Sequence, residues 1–234
     1  MVAWAYIALL TVAVPLLASR TAAALNAPDR PLPPRSTIHF NTLAMLAILL
    51  GLSIAVARKE RVALFVPWTP SWIDLAAGAG FLAISLGFLS FRMHKLSADE
   101  RRRLEQITMN NWRDPRQLGP YLAVCVMAGL AEEVAYRGVL TVLLTRLTDS
   151  HILAVSVACA AFGAAHAVQG RSGIIGAALF AAMFHAIVWL TGTLYTAIIV
   201  HALYDLVAGL VIARLASTSP LPPLRPTEPN PATA

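Results

Sequence analysis

The chain has 234 residues, of which 58% are hydrophobic and only 13% charged, against roughly 25% charged in ordinary soluble domains. With a mean hydropathy of +0.67, it is excluded from the soluble globular class and reads as an all-α, polytopic transmembrane helical bundle. A net charge of +6 would suggest nucleic acid in a soluble protein, but here the basic residues cluster in loops between apolar segments, so the expected partners are membrane lipids and no nucleic acid.

About seven spans follow in chain order. Residues 2–18 are apolar and carry no Lys or Arg before them, which predicts a retained first helix rather than a cleaved signal peptide. Residues 26–35, with four prolines, predict a loop, and residues 42–57 a second span closed by Arg58, Lys59, Glu60 and Arg61. Trp68 and Trp72 mark an interface. Residues 73–91 form a third span whose glycines at 78, 80 and 87 suit close helix approach.

Between residues 92 and 118 the composition turns strongly basic. Ser97 to Glu100 reads Ser-Ala-Asp-Glu, a capping-box pattern that predicts a short surface helix with Leu104 and Ile107 inward. Residues 121–147, 152–168, 174–190 and 194–215 are the remaining spans, joined by short polar links that make consecutive helices antiparallel neighbours. The stretch from residue 217 is Pro-rich and is expected to be disordered. Seven alternating spans place thirteen Lys and Arg on one side and four on the other, so the basic-rich side is predicted cytoplasmic and the N-terminus outside. Cys125 and Cys159 both fall in apolar segments, so no structural disulfide is expected.

The costly feature is residues 131–138, Ala-Glu-Glu-Val-Ala-Tyr-Arg-Gly, in the middle of the fourth span. Each charge at the bilayer centre costs roughly 2.5–3.5 kcal/mol on insertion scales. On a helix, Glu133 and Arg137 share a face and are expected to pair, while Glu132 lies about 100° around and faces the bundle interior unpaired. An unpaired carboxylate among apolar helices is a candidate general base or acid. His166 and His201, on two later helices, supply imidazoles that can bind a metal, donate to an oxyanion or hold a water against Glu132, and Asp205 stands one turn after His201 to orient it or act as a further polar ligand. His185 reads as a helix-packing donor. No HExxH or GxSxG motif is present.

Glu132-Glu133-Val-Ala-Tyr-Arg137-Gly138 resembles the EExxxRG motif of the CPBP family of intramembrane proteases, which includes the type II CAAX prenyl endopeptidases and bacterial relatives tied to bacteriocin processing and self-immunity. Phe162-Gly-Ala-Ala-His166 resembles its FxxxH motif, His201-Ala-Leu-Tyr-Asp205 its Hxxx(Asn/Asp) motif, and Thr191-Gly-Thr-Leu194 its usual lead-in to the last of these. The resemblance implies a helical bundle with a polar intramembrane cavity that hydrolyses a peptide bond with a glutamate-activated water. The bond would lie near the C-terminus or in a membrane segment of a protein or lipidated-peptide substrate.

Carried over by position, Glu132 is the general base, His166 helps hold the water, His201 with Asp205 stabilises the oxyanion, and Glu133 and Arg137 support the site. Metal use stays open: His166 and His201 are the ligands for a divalent ion such as zinc if one is used. Two positions depart from the pattern, Asp205 where many members have Asn and His185 where a small residue is common. The implied division is 1–118 for the N-terminal helices and basic loop, 119–216 for the catalytic core and 217–234 for the tail, in a bacterial inner-membrane protein. Two other functions remain in view, a non-proteolytic immunity or scaffold protein of the same fold and a proton-coupled transporter.

Overall fold

The computed structural model describes residues 1–25, 33–97, 100–101 and 115–217, and every secondary-structure element among them is helical. Helix α1 spans Val2–Leu25, α2 Arg35–Lys59, α3 Trp72–Lys95. Helix α4 runs without a break through Pro115–Glu132, Glu133–Leu140 and Thr141–Thr148, followed by α5 at His151–Ala165, α6 at Gly170–Thr191 and α7 at Leu194–Ser217. Six of these are long and apolar enough to cross a membrane, and α5 is a shorter apolar helix. The protein is therefore a polytopic helical bundle, as its hydropathy requires.

The expected Pro-rich loop at 26–35 ends earlier than the sequence suggests, because Pro34 occupies the position before α2 and Arg35 is already helical; a proline's fixed φ suits a helix start. Residues 26–32 of that loop, Leu104, Ile107 and the rest of the basic surface helix, and the Pro-rich tail lie outside the described residues. The start of the surface helix is described, and the reciprocal cap forms: Ser97 N–H donates to Glu100 Oε2 at 2.8 Å, and Glu100 N–H to Ser97 Oγ at 3.2 Å. Both cysteines are buried and unbonded to each other.

Helix α4 is the centre of the bundle, packed against α2 on one side and α7 on another, while α5 pairs with α6 and α7 also meets α3. Small residues permit this. A Cβ on Gly129 of α4 would lie 2.7 Å from the Ile198 carbonyl oxygen of α7, and one on Gly163 of α5 would lie 2.7 Å from that of Ile174 in α6. Of the three glycines of α3, only Gly78 is used this way, a Cβ there lying 2.8 Å from Val200; Gly80 and Gly87 have nothing within 4 Å. Large apolar side chains point outward instead, among them Phe40, Leu75, Ile152 and Trp189, as expected where the surrounding medium is hydrocarbon.

Two segments depart from α geometry. Leu9–Ala13 in α1 is π-helical and lies just ahead of Pro15, whose ring and missing N–H disturb the preceding turn. Glu133–Leu140 in α4 is also π-helical and is buried at all eight positions. Widening a helix leaves carbonyls poorly paired, and two side chains reach them. Thr141 Oγ1 donates to the Tyr136 carbonyl at 2.7 Å, and the Tyr6 hydroxyl of α1, 2.7 Å from Ser53 Oγ of α2, approaches the Ala135 carbonyl at 3.4 Å. Such π-turns concentrate at functional sites.

Candidate active site

The first carboxylate pair divides as its helical spacing implies. Glu133 Oε1 lies 3.2 Å from Arg137 Nη1, with both side chains fully buried. The guanidinium is also held face-on by rings, its Cζ 4.7 Å from the centroid of Phe162 and 5.3 Å from that of Phe184. Glu132, the last residue before the π segment, points elsewhere and lines a cavity of about 290 Å³. The π register begins at Glu133, so the two carboxylates sit on either side of a change in helical winding.

His166 reaches the same cavity by a different route. The sequence predicts that α5 continues through residue 168, but the helix stops at Ala165, His166 adopts φ −95° and ψ 22°, and a single 3₁₀ turn over Ala167–Gln169 leads to Gly170 at φ +76°. The last carbonyls of any α-helix lack intrahelical donors. His166 supplies one: its Nδ1 is 2.8 Å from the Phe162 carbonyl oxygen. Because a carbonyl only accepts, Nδ1 carries the hydrogen and Nε2 is left as the nitrogen available to a water or ligand. The four-residue spacing from Phe162 to His166 is thus the spacing of a side-chain cap on a helix end.

The joint before α7 is built similarly. Thr191 Oγ1 donates to the Ile187 carbonyl at 2.8 Å, Gly192 takes the left-handed conformation at φ +68°, and Thr193 Oγ1 accepts from Tyr195 N–H at 3.3 Å. That sequence stops one helix and starts the next within three residues. It fixes α7 so that His201 Nδ1 lies 2.8 Å from Glu133 Oε1, while Nε2 faces the cavity, 3.8 Å from Glu132 Oε2 and 3.6 Å from Asp205 Oδ2. The ring of Phe184 stacks on the His201 imidazole at 4.8 Å between centroids.

This corrects one expectation. Glu133, rather than Asp205, orients His201 through its second nitrogen; Asp205 stands on the cavity side, where Nε2 and the carboxylates of Glu132 and Asp205 meet only favourably with a proton or a water between them. Glu132, His166, His201 and Asp205 all line the one cavity, and Glu133 and Arg137 stand behind it. Each histidine has a single nitrogen left for a metal, yet among the described residues no three His, Cys, Asp or Glu side chains form a group that could hold one. The donor set as arranged does not fit a metal ion.

Three contributors were not read from the sequence. The Tyr121 hydroxyl donates to the Asp205 main-chain carbonyl at 2.6 Å and lines the cavity, fixing α7 against α4. Its signal was a lone hydroxyl-bearing ring at the start of an apolar span. Phe184 carries no signal at all, being one aromatic among many. Arg92 of α3, hydrogen-bonded to Ser172 Oγ at 3.0 Å, lines the cavity at the bundle end where α3 finishes and α6 starts.

Residues 114–207 match the family model described as type II CAAX prenyl endopeptidase Rce1-like. The match supports membership of the CPBP group. The matched segment holds all six of the motif residues, Glu132, Glu133, Arg137, His166, His201 and Asp205, and leaves α1 to α3 outside it. No curated protein and no solved structure matches the chain. The family of the matched segment implies, in general terms, CAAX-type intramembrane protease activity, and the apolar helices point to an integral membrane protein.

Proposed function

We propose that this protein is an intramembrane endopeptidase in which Glu132 activates the attacking water, within a catalytic core comprising residues 119–216. The observation that supports this best is convergence: Glu132 from α4, His166 from the end of α5, and His201 and Asp205 from α7 line a single cavity of about 290 Å³. Glu132 takes one proton of a water whose other hydrogen is accepted by Nε2 of His166. The resulting hydroxide adds to the scissile carbonyl carbon, and the oxyanion is met by His201 Nε2 when that nitrogen carries a proton, its charge balanced by Glu133 at Nδ1. Collapse of the tetrahedral adduct breaks the C–N bond, and Glu132 returns the proton to the leaving amine. Asp205 steadies His201 from the cavity side.

Leu89, Val124, Phe180 and Ile212 give the cavity an apolar wall, suited to an extended apolar or lipidated peptide near the C-terminus or in a membrane segment of a protein. A bacterial inner membrane is the proposed setting. The test is cleavage in the native host: comparison of protein termini between wild type and Glu132→Gln should reveal a product present only in wild type. Full cleavage by Glu132→Gln or by His166→Ala, each shown to be inserted and folded, would overturn the reading.

A further inference from the structure

A second cavity, of about 350 Å³, has a polar lining of Arg137, Thr141, Thr145, Arg146, His151 and His185. Every one of these side chains can donate, and among the described residues no carboxylate lines the cavity. Some of the donors are already engaged: the Thr141 hydroxyl on the Tyr136 carbonyl, and Arg146 Nη1 on the Glu60 carbonyl at 2.8 Å. The deepest are not. Arg137 is only 4% exposed, and its Nε and Nη2, like Nε2 of His185, are buried without a hydrogen-bond partner.

The ion pair with Glu133 does not complete Arg137, since Nη1 meets the carboxylate at 3.2 Å off the hydrogen-bond line, and the same oxygen already accepts from His201. Phe162 and Phe184 hold the guanidinium by its faces, so its hydrogen-bonding edge is what remains for a ligand. A planar fork of donors with the unpartnered nitrogen of a histidine nearby is matched to the oxygens of a phosphate group. Trp189, 77% exposed and two residues before the end of α6, lines the cavity, and amphipathic rings near helix ends gather where lipid headgroups lie.

We propose that this cavity binds a phosphate group, presented by a phospholipid headgroup or by free phosphate, with Arg137 and His185 as its deepest contacts. The site is independent of the hydrolytic reading. Thermal unfolding of the full chain in a maltoside detergent, without phosphate buffer, tests it against three additions at equal ionic strength: inorganic phosphate, phosphatidylglycerol in mixed micelles, and neutral diacylglycerol. Saturating phosphate or phosphatidylglycerol should raise Tm by about 5 °C over the neutral lipid. At least half of that shift should be lost in His185→Leu and in the Arg146→Gln/His151→Gln double variant, each compared with its own ligand-free Tm. A shift with the lipid alone identifies a headgroup site, and a shift with both shows that the phosphate group suffices. No shift with either ligand, or an undiminished shift in both variants, would overturn the proposal.

Discussion

Two buried carboxylate clusters are tied to α7 five residues apart, and they behave differently. At the end of the bundle where α3 and α7 begin, Asp74 accepts from Ser71 N–H at 2.8 Å, from Ser71 Oγ at 2.6 Å, from Trp68 Nε1 at 3.2 Å and from the Thr196 hydroxyl, so both oxygens are engaged. In the middle of the bundle, Glu133 shares Oε1 between Arg137 and His201 while Oε2 has no partner, and Glu132 faces an open cavity. The first is closed: a cap whose satisfied groups hold two helix ends together and leave nothing to react. The second is incomplete, which in the proposed reading leaves room for a proton or substrate atom. Burial of charge by itself does not mark chemistry; unfilled hydrogen-bonding capacity facing a cavity does.

That contrast can be broken, and the largest effect should come from the open cluster. Glu132→Gln keeps shape and volume but removes the group that accepts the proton, so cleavage should fall by about 10³-fold with little change in Tm; a reporter-substrate assay alongside thermal unfolding measures both. Next comes Glu133→Leu, which strips a fully buried Arg137 of its counter-charge and His201 of its acceptor. Breaking a buried pair costs about 3–5 kcal/mol, so both Tm and residual activity should drop, and an active, stable variant would show that Glu133 supports nothing.

The closed cluster should respond in stability alone. Thr196→Val removes one donor to Asp74 and should lower Tm by about 3 °C with kcat unchanged in the folded fraction. Loss of kcat at unchanged stability would mean that the cap communicates with the site through α7. The smallest effect belongs to a second reciprocal cap, Ser97 with Glu100, outside the membrane-spanning helices. The Ser97 main-chain N–H and hydroxyl favour the ionised form of Glu100 and hold its carboxyl below the usual range. The stabilisation is therefore complete above the ordinary carboxylate pKa and is lost as pH falls through the lowered one. Ser97→Ala should move the Glu100 titration midpoint upward in carboxyl-carbon NMR.

Much of the site is legible in sequence because charge within an apolar span is conspicuous and helical spacing assigns faces. Glu133 with Arg137 followed from four-residue spacing, and Glu132 was separated from them by one residue's rotation. Other features left weaker traces. The π winding over Glu133–Leu140 goes with hydroxyls that reach its carbonyls from Thr141 in the following turn and from Tyr6 of α1, and the second of these leaves no local trace in the sequence. The end of α5 at Ala165 was missed because Ala167 and Val168 continue the apolar pattern, while the decisive residue, Gly170, comes later at positive φ.

By itself, then, the sequence determined a polytopic helical membrane bundle, the helix carrying its costly charges, and the residue types available for chemistry, since hydropathy, spacing and caps are local properties. Only the tertiary structure decided that Glu133 rather than Asp205 orients His201, that Asp74 is a closed cap, and that Arg137, paired with Glu133, lines a second cavity. Those facts depend on which side chains of different helices meet, and helix contacts across tens or more than a hundred residues of chain leave no periodic trace in sequence.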